Sequence, residues 1–171
     1  TAAVNSLDAA DGGLLTFTGF AENQQLDLSD VSAAIAEVRL ALTGTVADPF
    51  KATAAFAITD EAARDLSVIV EVSGKVDLSF ANLANIDGIR LVPDTDADIT
   101  LLPSQIAALD IAGTGSITVD LLGEPATVSL NADAHSLELE GINLVFTNTV
   151  GTPQGATLTM ASTGDVALQG I

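Results

Sequence analysis

Apolar and polar residues alternate along much of this chain, and three stretches share one version of the alternation. In Ser67–Ser79 (SVIVEVSGKVDLS) the apolar positions are Val68, Val70, Val76 and Leu78. In Ala108–Leu121 (ALDIAGTGSITVDL) they are Leu109, Ile111, Ile117 and Val119, and in Thr157–Gly170 (TLTMASTGDVALQG) they are Leu158, Met160, Val166 and Leu168. A period of two puts such residues on one face of a strand. Each stretch is interrupted by three residues ending in glycine: VSG at 72–74, GTG at 113–115 and STG at 162–164. Read as three-residue hairpin loops with glycine in the left-handed position, they predict three cross-strand pairs. These are Val70 with Val76, Ile111 with Ile117 and Met160 with Val166, and Glu71 then faces Lys75 as an opposite-charge pair. The same parity permits a second reading, in which the glycine is a corner of a β-solenoid and the strand turns onto the next side. The consistent cross-strand partners favour the hairpin.

A second element recurs. EVRLAL (37–42), GIRLV (88–92) and GINLV (141–145) are short strands with a common apolar core, and 51 positions separate Arg39 from Arg90 and 53 separate Arg90 from Asn143. QQLDLSD (24–30) and KVDLSF (75–80) share an LS edge. Helical signals are confined to SDVSAAIAEV (29–38), TDEAARDL (59–66, with Thr59 as cap and Asp60 and Glu61 in its first turn) and LPSQIAAL (102–109). The prediction is an all-β chain with a few short helices. Degenerate β-hairpin repeats of about 50 residues would form a sandwich or prism-like domain, or a β-solenoid. We expect a single domain over 1–171, with internal units near 30–80, 81–122 and 123–171.

Composition narrows the class. The 171 residues are 48% hydrophobic, enough for a core, but that core must be built of Ala, Val, Ile and Leu with six Phe and no Trp or Tyr. Against 23 acidic residues stand Arg39, Lys51, Arg64, Lys75 and Arg90, a formal charge of −18. Nucleic acid and anionic membrane surfaces both require a basic face that five cations cannot supply. The acids are read first as a solubilising surface and second as a store of carboxylates for divalent cations. Without cysteine there is no disulfide framework or thiol chemistry. No run approaches a membrane span, and TAAVNSLDAADGG lacks the basic start and apolar run of a signal peptide, so the sequence reads as a mature form or an excised piece.

The best local candidate for chemistry is PDTDADIT, Pro93–Thr100. Asp94, Asp96 and Asp98 stand at alternate positions, as carboxylates do at the start of calcium loops, and calcium is the cofactor they would hold. Ile99 stands where an EF-hand has glycine and Gln105 where it has glutamate, and a polar turn accounts for the residues equally well. Asp8 and Asp11 before the glycine pair form a lesser acidic place. His135 is the sole histidine; with Asp133 and Ser136 near it a triad is formally possible, but no nucleophile elbow accompanies it, and an exposed structural histidine is expected. AGTGS lacks the lysine and helix of a phosphate loop, and no aromatic platform exists for sugars.

In its Ala, Thr, Gly and Asp richness, its lack of Cys and in segments such as DITLLPSQIAALDIAGTGSITV, the chain resembles bacterial surface-layer and secreted repeat proteins, including large RTX-type adhesins. The glycine-rich calcium nonapeptide of RTX proteins is absent, so calcium rolls do not carry over. The resemblance implies secretion, a cell-surface or matrix location, and calcium-assisted assembly. The expectation is thus a non-enzymatic structural module of an extracellular surface layer, filament or adhesin stalk. It would have no membrane span and no nucleic acid, and would associate with itself or other surface proteins through sheet edges. The alternative is an apolar-ligand or lipid-binding β-groove, since SLELEGINLVF (136–146) and TGDVALQGI (163–171) resemble periplasmic lipid-transfer repeats.

Overall fold

In the computed structural model the alternation becomes rows of buried side chains running across parallel strands. The structure describes residues 3–8, 13–60, 65–106, 108–121, 126–131, 142–147 and 156–161. In chain order the elements are β1 (Ala3–Asp8), β2 (Leu14–Thr18), β3 (Gln25–Asp27), β4 (Glu37–Gly44), β5 (Phe50–Lys51), β6 (Ala57–Thr59) and β7 (Ser67–Asp77). There follow β8 (Gly88–Leu91), β9 (Asp98–Leu101), α1 (Pro103–Ile106), β10 (Asp110–Gly113), β11 (Gly115–Asp120), β12 (Ala126–Asn131), β13 (Ile142–Thr147) and β14 (Ala156–Ala161). The main sheet runs β1-β2-β4-β7-β9-β11-β13, with β5, β8 and β10 joined at its sides. Its path has two ends, so the described strands do not close into a barrel. β3 pairs with β6 and β12 with β14 as two smaller parallel sheets.

The register explains the burial. Phe17, Leu40, Val70, Ile89 and Ile111 are successive partners across β2, β4, β7, β8 and β10, and all five are buried. Leu42, Val72 and Leu91 form the next inward row. Phe50, Val76, Ile99 and Ile117 form another across β5, β7, β9 and β11. At about 1.5–3 kcal/mol for each fully buried Leu, Ile, Val or Phe, these rows are the main support of the stack. The three Phe rings interlock at one place: Phe56, fully buried, meets Phe20 and Phe50 edge-on at centroid distances of 6.1 and 6.0 Å.

β7 links the two halves of the main sheet. Its first part lies between β4 and β8, and its last part between β5 and β9. The change of partners falls at Gly74, whose φ is +67°. The hairpin expectation is corrected here. Val70 pairs with Leu40 and Ile89, not with Val76, and Ile111 pairs with Ile89, not with Ile117. A single left-handed glycine in an otherwise extended strand bends it without reversing it. In the third stretch Met160 pairs in parallel with Leu130, while Ser162–Gly164 and Val166 lie outside the described residues. The predicted Glu71–Lys75 pair is also replaced: Glu71 meets Arg39 and Arg90, and Lys75 meets Asp98. EVRLAL and GIRLV do become strands, β4 and β8, but β7 stands between them in the sheet.

One helical expectation gives way to turns and a strand, and a second falls largely outside the described residues. Over 29–38 the chain makes successive turns, closed by the Val31 and Ile35 amides donating to the Leu28 and Ser32 carbonyls, and enters β4 at Glu37. Thr59 ends β6 and Glu61–Arg64 lie outside the described residues. Among the described residues of 102–109, Pro103–Ile106 is helical. Asp, Ser and Asn side chains cause the turns by competing for the backbone. Asp27 Oδ1 accepts the Ser29 amide, and Asp77 Oδ1 accepts both the amide and the hydroxyl of Ser79. Ser32 Oγ accepts the Ala34 amide as Asn82 Oδ1 accepts that of Ala84. The LS edges at 24–30 and 75–80 thus share one local geometry.

Candidate functional site

The connections that carry the chain from the first half of the main sheet to the second all lie at one corner, and they differ in length. Residues 45–49 join β4 to β5 and 92–97 join β8 to β9, whereas β7 turns at Gly74 alone and Thr114 alone separates β10 from β11. In the stack, long and short corners therefore alternate. The short ones are possible because glycine admits close backbone contact: a Cβ on Gly74 would stand 2.1 Å from the Gly44 carbonyl oxygen, and one on Gly113 2.1 Å from that of Leu91. The Gly113 φ is +105°. Along these corners opens a concavity of about 660 Å³.

Its polar groups are largely engaged with one another. Lys75 Nζ lies 2.5 Å from Asp98 Oδ2, and the Thr118 hydroxyl donates to Asp98 Oδ1 at 3.1 Å. Strand register makes this cluster, since Lys75, Asp98 and Ser116 are consecutive partners on β7, β9 and β11. Thr45 Oγ1 accepts the Asp48 amide, and the Thr95 hydroxyl donates to the Val92 carbonyl. What the concavity offers a ligand is a set of hydroxyl and main-chain groups and the exposed Asp96 carboxylate beside one satisfied ion pair.

The acidic triplet separates within this region. Asp94 and Asp96 are exposed in the turn before β9, with φ of +61° and +50°, while Asp98 is half-buried in β9 and committed to Lys75 and Thr118. Among the described residues no three His, Asp or Glu side chains gather as a metal-binding group. Asp8 lies in β1; Asp11, Asp133, His135 and Ser136 fall outside the described residues.

A second polar constellation lies on the outward positions of β4, β7 and β8. Arg39 Nε is 2.5 Å from Glu37 Oε1, and Glu71 Oε1 receives Arg39 at 3.4 Å and Arg90 at 3.6 Å. The Glu37 hydrogen bond, reinforced by the Glu37 and Glu71 charges and opposed by burial, raises the Arg39 guanidinium above its ordinary value. Among the described residues Arg39, Lys75 and Arg90 are thus engaged between strands. The sequence reading placed Arg39 and Arg90 on strands but missed their common partner, Glu71, and the 45–49 corner. The signals available were the outward parity of the three charged positions and the turn-forming Gly44, Asp48 and Pro49. No known protein family, curated protein or solved structure matches this chain.

Proposed function

We propose that this chain is a non-enzymatic structural module of an extracellular bacterial assembly, a surface layer, filament or adhesin stalk, built as successive turns of a β-solenoid. The observation that carries the reading is the continuous parallel register from β2 through β4 and β7 to β9, β11 and β13, with apolar rows buried along it from β2 to β11. Such a stack is a spacer by construction: each pass of chain lengthens it and presents an edge on which another strand can be laid. Self-association proceeds through that edge, and divalent cations bridge acidic surfaces that otherwise repel. Asp94 and Asp96, exposed on their turn, are carboxylates free to serve in such bridging. The β-groove alternative needs a contiguous row of exposed apolar side chains. Among the described residues Val46 and Phe80 are the large exposed hydrophobics, and they stand on different connections.

The test is sedimentation velocity of the full chain over a rising concentration series, in EDTA and in millimolar calcium, at matched ionic strength. The expected result is a concentration-dependent mass increase that calcium enhances and that Asp94→Asn with Asp96→Asn weakens. A monomer at every concentration in both solutions would overturn the reading.

A further inference from the structure

The pairing of β1 differs from every other pairing among the described strands. All the rest are parallel, whereas β1 runs antiparallel to β2. Its register is also broken. Val4 faces Phe17 and Ser6 faces Thr16, so Asn5 is an extra residue bulged out between consecutive partners. Both features fall on the outermost strand of the sheet path, at the end opposite β13.

From this combination we infer that β1 is an edge cap, which closes the β2 end of the stack against addition of a second copy of this chain. Without β1, β2 would present the evenly spaced donors and acceptors of a strand already in a parallel ladder, the pattern on which a further parallel strand is laid. With β1 in place, an arriving strand that continued the stack would run antiparallel to the strand it meets. It would also meet a ladder interrupted at Asn5, and a bulge both breaks hydrogen-bond spacing and increases local twist. A bulge blunts an edge, and the reversed direction breaks the parallel repeat that a further copy would continue. Addition of copies through the β2 end is then blocked. This inference rests on the edge-association reading above.

The experiment compares the full chain with two variants by sedimentation velocity, with far-UV circular dichroism as the folding control. In the first variant Ser6→Pro and Leu7→Pro are combined. Adjacent amides point to opposite sides, so one of the two must face β2, and the pair breaks the ladder whichever it is. The second variant lacks residues 1–12. At a concentration where the full chain has constant mass, uncapping should raise the weight-average mass about twofold or more, with the β spectrum unchanged. Folded variants that sediment as the full chain does would overturn the cap. Loss of the β spectrum in both would also overturn it, since a cap can be lifted without unfolding what it covers. Whether the full chain itself associates is decided separately by the concentration series, so the cap and the assembly reading fail on different measurements.

Discussion

At Gly74 two demands meet, a left-handed backbone and contact with the strand beneath, and a second glycine separates them. Gly19 has a similar φ of +74°, but a Cβ there would find no atom within 4 Å, whereas one on Gly74 would stand 2.1 Å from the Gly44 oxygen. Gly19→Ala should cost only the left-handed penalty, about 1–2 kcal/mol. Gly74→Ala adds a clash with backbone that cannot swing aside and should cost about 3 kcal/mol or more. Urea midpoints of the two variants measure the difference, and equal losses would show that the corner gives way. Asp27 supplies a titratable counterpart. Hydrogen bonds from Ser29, its hydroxyl first and its amide second, hold the Asp27 carboxyl below the usual 3.8. Its stabilising effect is therefore present above pH 3.8 and lost as pH falls through the lower folded value. Asp27→Asn should remove that part of the acid sensitivity, seen as a shallower fall in urea midpoint below pH 4 than in the unaltered chain.

At the scale of elements, the outward charges report which strands are neighbours. Glu71 on β7 lies between Arg39 on β4 and Arg90 on β8. Glu71→Gln forfeits two partly exposed ion pairs and should cost about 1 kcal/mol or less. Glu71→Lys lines up three cations across adjacent strands and should cost more, by a margin that shrinks in salt. Chemical denaturation of both variants at low and high salt tests the order. These contacts also show where sequence reading stops. The inward residues Val68, Val70, Val76, Leu78, Leu109, Ile111 and Ile117 were legible, because burial enforces a period of two whatever the partner strand. The partner was not, because a hairpin and a stack place Val70 and Val76 on the same face and differ only in contacts that are remote in sequence. SDVSAAIAEV misled for a different reason: its Ser and Asp residues cap turns as readily as helices, and Val38 had to enter the row between Leu15 and Val68. In the acidic triplet the alternation was compatible with a cation loop and with a polar turn alike. Strand register commits Asp98 to Lys75 and leaves Asp94 and Asp96 exposed on the turn.

The whole molecule carries a formal charge of −18, and among the described residues Arg39, Lys75 and Arg90 are already paired with acids. Repulsion among the remaining carboxylates opposes the compact state. Raising sodium chloride from about 0.01 to 0.15 M shortens the screening length from about 30 to 8 Å and should raise the melting temperature by about 2–4 °C. A falling melting temperature in the same dichroism scan would mean that the inter-strand pairs outweigh the repulsion.

The register has one more consequence, for how the molecule bears a load. Successive partners such as Leu40, Val70, Ile89 and Ile111 come from consecutive passes of the chain, and the hydrogen bonds between them lie along the stack. A pull on the outermost pass therefore strains one ladder at a time instead of shearing many together. Such a pull should part the parallel strands one after another, while the rows beneath keep their register. Pulled from one end, the sheet should lengthen in discrete steps and shorten again as the same strands are laid back.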